Sequence, residues 1–129
     1  MLIGATSKIG SEAAQFLHDY GAFLIIADDN EIELKSMAKR LAIAPRCVAL
    51  LDKENLSSIV KVSQQMEIWN IKFNYIFIIE ENTVFIRRKP SLILCMENFK
   101  KLLLPKGTLM EFNVETMEQF KNILEKIMS

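Results

Sequence analysis

A glycine-containing stretch near the start of the chain carries the clearest chemical signal. It reads GATSKIG, runs from Gly4 to Gly10, and lies between a short apolar segment and a segment with helical spacing. At such a strand-to-helix turn, free backbone N–H groups and the positive end of the helix dipole favour a bound anion. Gly4 permits a tight turn, and Gly10 lets the helix pack close to the strand. We predict a phosphate site formed by Gly4, Thr6, Ser7, Lys8, Ile9 and Gly10; the alternative is a plain helix cap without a ligand.

Acidic residues follow the next two predicted strands. Asp28 and Asp29 end one apolar run, and Asp52 ends the next. Carboxyl ends of parallel strands meet at one sheet edge, so a carboxylate there can accept hydrogen bonds from a ribose, and Asp52 can reach an adenine amino group. One carboxylate also repels a 2′-phosphate, by ~1 kcal/mol in water and ~4 kcal/mol at a surface-like dielectric. The pattern favours NAD over NADP; the alternative is an acidic turn that only caps the next helix.

Strands and helices alternate along the whole chain, and they must position these residues. Apolar spacing predicts helices over residues 9–20, 31–41, 55–69, 91–104 and 116–128, and strands over 1–3, 22–27, 46–51, 73–79 and 108–114. Residues 82–89 fit a strand or a loop. This alternation is typical of βαβ units with right-handed crossovers. We predict one α/β domain over residues 1–129, a three-layer, doubly wound, Rossmann-like parallel sheet of about five strands in the order 3-2-1-4-5.

Composition narrows the function classes. The chain has 129 residues, half of them apolar, which suits a domain with its own core. Its 16 basic residues balance 16 acidic ones, so we expect neither a nucleic acid nor a membrane surface as partner. The apolar runs stop short of the ~18 residues of a membrane span. Cys47 and Cys95 lie within apolar runs, which predicts reduced, buried thiols in the cytoplasm.

Together these residues resemble the amino-terminal half of the short-chain dehydrogenase/reductase family. GATSKIG resembles the family's TGxxxGxG turn, with Lys8 at the middle glycine, while IIADDN and LLDKENLSSI resemble the ends of its second and third strands. The likeness covers residues 1–79 well and 91–114 loosely. It implies a nicotinamide dinucleotide as cofactor, with contacts from Gly4, Thr6, Ser7, Ile9, Gly10, Asp28 and Asp52.

The family pairs through helices in the region of residues 91–104, so the resemblance also implies a homodimer there. This segment has apolar residues on two faces, and one face is enough to cover the sheet. The other face is then available to a second copy. The alternative is that the second face packs under residues 82–89.

The chain departs from the family where the family performs its chemistry. Neither Tyr20 nor Tyr75 is followed by a lysine four residues later, so the Tyr-x3-Lys motif is absent. The family's Asn-Asn-Ala-Gly after its fourth strand aligns here with Ile78-Ile79-Glu80-Glu81, which places two carboxylates on that side of the pocket. Without the phenol and the lysine that lowers its pKa, the family's proton transfer has no agent. We therefore predict an NAD- or adenine-nucleotide-binding domain without classical reductase activity and name no catalytic residue and no metal ligand.

Two other functions stay open at this point. The chain can be an NAD(P)-dependent oxidoreductase whose catalytic groups come from a missing segment or a partner chain. It can also be a scaffold that binds no cofactor at all.

Overall fold

Five parallel strands form the sheet at the centre of the structure, a computed structural model that describes residues 1–80, 90–112 and 116–128. The strands are β1 (Leu2–Ile3), β2 (Ile26–Asp28), β3 (Val48–Leu50), β4 (Phe73–Ile79) and β5 (Leu103–Phe112). Their order is β3-β2-β1-β4-β5, and every neighbouring pair is parallel. This confirms the predicted fold class and strand order.

Helices cover both faces of the sheet. They are α1 (Lys8–Asp19), α2 (Glu31–Arg40), α3 (Leu56–Ile68), α4 (Pro90–Lys100) and α5 (Met117–Met128). The core on one face contains apolar residues of α1, α2 and α5, and the core on the other contains those of α3 and α4. Buried side chains on both faces explain why the strands are continuous apolar runs rather than alternating ones. None of the helices described is long and apolar enough to cross a membrane.

Polar side chains begin the helices where their residue types predict it. The Asn55 side chain accepts a hydrogen bond from the Ser58 amide at the start of α3. The Thr116 hydroxyl accepts one from the Gln119 amide at the start of α5. Each such bond satisfies one of the backbone donors that a helix leaves unpaired at its first turn.

The region that precedes β5 differs from the prediction. Residues 91–104 were expected to be one helix, but α4 ends at Lys100 and β5 begins at Leu103. The six residues of β5 from Leu103 to Thr108 lie against only three residues of β4, Phe73 to Tyr75, and this irregularity accommodates Pro105 and Gly107. Proline is tolerated at such a bulge because it lacks the N–H that a regular ladder needs. Pairing with β4 therefore prevails over the helical spacing.

Two other strands are shorter than predicted. The apolar run of residues 22–27 enters the sheet only at Ile26, because β1 offers only Leu2 and Ile3 as strand partners. In the run of residues 46–51, Arg46 belongs to a 3-10 turn (Pro45–Cys47), and the strand begins at Val48. The alternatives for residues 82–89 and the position of Glu81 lie outside the described residues.

Candidate functional site

Both glycines of the turn between β1 and α1 are required by its geometry. Gly4 has a φ of +85°, and a Cβ atom there would lie 2.5 Å from the carbonyl oxygen of Ile79 at the end of β4. A Cβ atom on Gly10 would overlap the Gly4 carbonyl oxygen. Gly4 thus permits the turn and Gly10 permits the close approach of α1, as predicted from their spacing.

The two hydroxyl groups of the turn have partners within the protein. The Ser7 hydroxyl donates to the Gly4 carbonyl at 2.9 Å and accepts from the Gly10 amide at 3.0 Å. Ser7 is therefore the cap of α1, one of the two roles predicted for it. The Thr6 hydroxyl donates to the Asp28 carboxylate rather than pointing to an open anion site.

Lys8 has hydrogen-bond donors that no described residue uses. Its side chain is exposed, and neither its amide nor its ammonium has a hydrogen-bond or ion-pair partner among the described residues. The neighbouring Ile9 is buried and packs in the core of α1, so its part in the predicted site is its backbone. Lys8 consequently does not fill the turn. Its amide, at the positive end of α1, and its ammonium can both approach an anion.

Asp28 ties the turn to the end of β2. Its carboxylate is 9% exposed and accepts hydrogen bonds from the Thr6 amide and hydroxyl on one oxygen and from the Asp29 amide on the other. Burial raises the pKa of Asp28, but the hydrogen bonds from Thr6 and Asp29 together outweigh it and hold that pKa below its ordinary value. The carboxylate therefore stays ionised and already serves three donors of the protein.

Asp29 and Asp52 lie beside Asp28 at the same edge of the sheet. Leu50 is opposite Asp28 in register, and the Leu51 amide donates to the Asp28 carbonyl at 2.8 Å, which brings Asp52 to this edge. Burial, a hydrogen bond with Asp28 and the charges of Asp28 and Asp52 raise the pKa of Asp29. The structure thus brings together the three carboxylates, as the sequence predicts.

Asp29 and Asp52 open onto a cleft of ≈790 Å³ between β3 and α3. The cleft is lined by polar and apolar side chains, among them Leu50, Lys61 and Trp69. Asp52 is half-buried, and one of its oxygens accepts from the Glu54 amide at 2.9 Å. A cleft with these walls is suited to a flat, partly apolar group with a few polar atoms.

Lys53, which no sequence pattern singled out, lies beside the glycine turn at the end of β4. The Lys53 ammonium lies 3.2 Å from the Glu80 carboxylate and donates to the Ile79 carbonyl at 3.1 Å, and both side chains are less than a fifth exposed (18% and 17%). Glu80 was identified as a departure from the family, but its partner was not. Burial raises the pKa of the Cys95 thiol to about 12, with the Lys53 charge opposing the rise and the Glu80 charge adding to it, so this buried thiol stays protonated.

This ion pair stands at the point where the strand order reverses. The chain leaves β1 towards β2 and β3, then crosses to β4 on the other side of β1. Ligands of open α/β sheets bind in the crevice at such a switch point, outside the carboxyl ends of the strands. Ile79 contacts Gly4 there, so Lys53 and Glu80 occupy the part of the crevice next to the glycine turn.

The tyrosines do not supply the missing catalytic group at this site. The Tyr75 hydroxyl donates to the Ile127 carbonyl of α5 at 3.4 Å, and Tyr20 follows the last turn of α1. His18 lies in that last turn beside Asp19, exposed and far along the helix from the glycine turn.

Comparisons with known proteins add to the fold. No family model and no curated protein matches the chain. One solved structure with a similar fold is a ribose-5-phosphate isomerase from Brucella melitensis, with a TM-score of 0.67 and 17% identity over 85% of this chain and 48% of that protein. Another is Pseudomonas aeruginosa RhlG in a complex with NADP, with a TM-score of 0.67 and 16% identity over 85% of this chain and 52% of that protein. A glucose/ribitol short-chain dehydrogenase/reductase from Brucella melitensis has a TM-score of 0.65 and 15% sequence identity, and the match covers 98% of this chain and 65% of that protein. The chain thus shares a Rossmann-like α/β fold with these proteins, and it spans about half the length of the first two.

Proposed function

We propose that the protein binds NAD or another adenine nucleotide at the turn between β1 and α1 and does not perform classical reductase chemistry by itself. The observation that carries the proposal is the Gly4–Gly10 turn at the switch point of the sheet, held by Asp28 and open at Lys8. A similar fold in RhlG is found with NADP, which supports a dinucleotide as the ligand class.

The phosphate groups of the nucleotide lie at Lys8 in this proposal. Its amide and its ammonium have no other partner among the described residues, and both bind anions well. The adenosine extends towards Asp29 and Asp52, where the cleft has room for it. Asp28 positions the turn, and Asp29 is the exposed carboxylate of the pair. Three neighbouring carboxylates disfavour a 2′-phosphate, so we propose NAD over NADP.

Two features support the lack of reductase chemistry. The chain has no Tyr-x3-Lys motif, and both of its tyrosines are remote from the turn. The Lys53–Glu80 pair occupies the crevice beside β4. In a reductase, the substrate that accepts the hydride and the group that protonates it would need this same space, which the ion pair already occupies.

Thermal stability and calorimetric titration with NAD, NADP and ADP test the proposal. We expect stabilisation by NAD and ADP and weaker binding of NADP. Lys8→Glu should reduce the affinity by about tenfold or more, because it places a negative charge at the phosphate site. The control is Lys39→Glu, which changes an exposed lysine of α2 and should leave the affinity unaltered. The absence of stabilisation by all three nucleotides would leave the scaffold reading. Consumption of NADH with a carbonyl substrate by the purified chain would favour the oxidoreductase instead.

The homodimer through residues 91–104 stays a prediction. α4 buries Cys95 and Phe99 in the core, and Leu102, which follows it, is buried as well. The second apolar face of the predicted helix was Leu94, Cys95 and Leu102, and none of these is exposed, whereas Ile93, which belongs to neither face, is 43% exposed. The cytoplasmic location also stays a prediction, supported by two buried cysteines that form no disulfide.

A further inference from the structure

The edge of the sheet at β3 has its hydrogen-bonding groups exposed. β3 pairs with β2 on one side, and no described strand pairs with its other side. Successive residues of a strand direct their N–H and C=O groups to opposite edges. Because Leu51 donates to β2, Val48 and Leu50 direct their backbone groups outwards. Leu50 is also 55% exposed, although it lies between the buried Ala49 and Leu51.

Clefts on both faces leave this edge accessible. One cleft, of ≈790 Å³, lies between β3 and α3, and a second, of ≈470 Å³, lies between β3 and α2. Val48 and Leu50 line both of them. The edge strand therefore faces open space between α2 and α3, which a further strand can enter.

We propose that two copies of this chain associate through antiparallel pairing of their β3 edges, with Ala49 on the two-fold axis. This register places Val48 opposite Leu50 of the partner subunit, and the symmetric pair repeats the contact. Val48 and Leu50 both direct their backbone groups outwards, so each Val48–Leu50 pair across the axis exchanges two backbone hydrogen bonds. Between these two pairs, Ala49 faces Ala49 of the partner subunit as a non-hydrogen-bonded pair, which is the alternation of an antiparallel ladder. The exposed Leu50 then gains an apolar cross-strand neighbour.

The charges at the two ends of β3 select this orientation. Arg46 precedes the strand and Asp52 follows it, and the two side chains line the same cleft. Arg46 is exposed and forms no ion pair with a described residue. The two-fold at Ala49 brings Arg46 next to Asp52 of the partner subunit, twice. A parallel arrangement would instead place Arg46 beside Arg46 of the partner subunit, which is repulsive.

The sequence around the axis is thus chemically self-complementary. It reads RCVALLD, with opposite charges at the ends and apolar residues facing each other across Ala49. An interface based on a three-residue strand is small, so we expect a reversible dimer with a Kd of ~10–100 µM.

Sedimentation of the whole chain over about a hundredfold range of protein concentration tests this association. Asp52 is also a predicted nucleotide contact, so the measurement is made without nucleotide. Leu50→Lys, which places a charge on the edge, should abolish the dimer. Ile93→Lys, at an exposed position of α4, tests the alternative interface through residues 91–104 and should leave the β3 dimer unchanged. Circular dichroism melts verify that both variants fold.

Charge exchange tests the register. Arg46→Asp and Asp52→Arg should each weaken the dimer by about tenfold, and the double variant should restore it, because the attraction is then reversed rather than lost. A chain that stays monomeric at every concentration overturns the proposal. So does a dimer that resists Leu50→Lys, or one that Ile93→Lys abolishes, which would place the interface on α4. A charge-exchange double variant no better than the single ones would refute the register.

Discussion

Asp28 holds Thr6 through two hydrogen bonds to one carboxylate oxygen, from the Thr6 amide at 2.9 Å and from its hydroxyl at 2.6 Å. The two residues belong to different strand ends, β1 and β2, and the bonds fix the glycine turn relative to the sheet. The carboxylate predicted to bind a ribose thus has a structural role as well.

Asp28→Asn should therefore destabilise the fold by about 2 kcal/mol. An amide can keep its oxygen on Thr6 only by turning its NH₂ group to the Asp29 amide, where two donors then face each other. Urea denaturation measures the change. Asp19→Asn, at an exposed carboxylate of α1, should change stability by no more than about 0.5 kcal/mol. Equal effects of the two substitutions would contradict the role of Asp28.

The pH dependence of stability should reflect the lowered pKa of Asp28. Its contribution to stability is complete above the ordinary value of 3.8 and is lost as the pH falls towards the lower pKa of the folded state, because the unfolded chain binds the proton first. Asp29 has a raised pKa and acts in the opposite direction. As the pH is lowered from 6 to 3, the free energy of unfolding should accordingly fall less steeply in Asp28→Asn than in the unsubstituted protein, and more steeply in Asp29→Asn. An unchanged slope in both variants argues against these shifts.

The Lys53–Glu80 pair should matter more than an exposed ion pair. Lys53→Met leaves the Glu80 carboxylate largely buried without its partner, and we expect a loss of about 1–3 kcal/mol. Lys53→Met combined with Glu80→Gln should recover most of it. The control is Lys101→Met, which breaks a pair with Glu67 whose side chains are 44% and 55% exposed, and which should cost less than about 1 kcal/mol. A similar loss in both single variants would show that burial of the pair has no consequence.

The same double variant should change which nucleotide binds. A dinucleotide that covers the Lys53–Glu80 pair takes both charges out of water and brings its phosphates towards the Glu80 carboxylate, and the neutral replacements of similar size remove both costs. We expect the affinity for NAD to rise relative to that for ADP by about tenfold, as measured by calorimetry. An unchanged ratio would mean that the pair does not limit the site.

Gly10→Ala should destabilise the protein by about 3 kcal/mol, because the added Cβ atom overlaps the Gly4 carbonyl oxygen. Gly21 offers a matched comparison, since it has a φ of +91° but nothing within 4 Å of an added Cβ atom. Gly21→Ala should therefore cost only the backbone strain, about 1 kcal/mol. Thermal and urea melts of the two variants would reveal a wrong assignment if their order were reversed.

Features that depend on local periodicity could be predicted from the amino-acid sequence. The apolar run of β4 predicts the strand with its observed bounds, Phe73–Ile79, and the alternation of elements predicts the sheet order. The roles of Gly4 and Gly10 follow from their place between a strand and a helix. Burial on one face of a helix or both faces of a strand leaves a repeating pattern of residue types, and that pattern can be read without knowing the partner.

The partners of the polar side chains, in contrast, depend on how the strands and helices pack together. The Thr6 hydroxyl was predicted to serve a phosphate or a cap, and it serves Asp28 because β1 and β2 end side by side. Lys53 gave no signal as a partner of Glu80, and β5 took up the end of a predicted helix because β4 was there to pair with it. Such contacts join residues far apart in the chain, and their energies depend on register and burial, which no local pattern of residue types encodes.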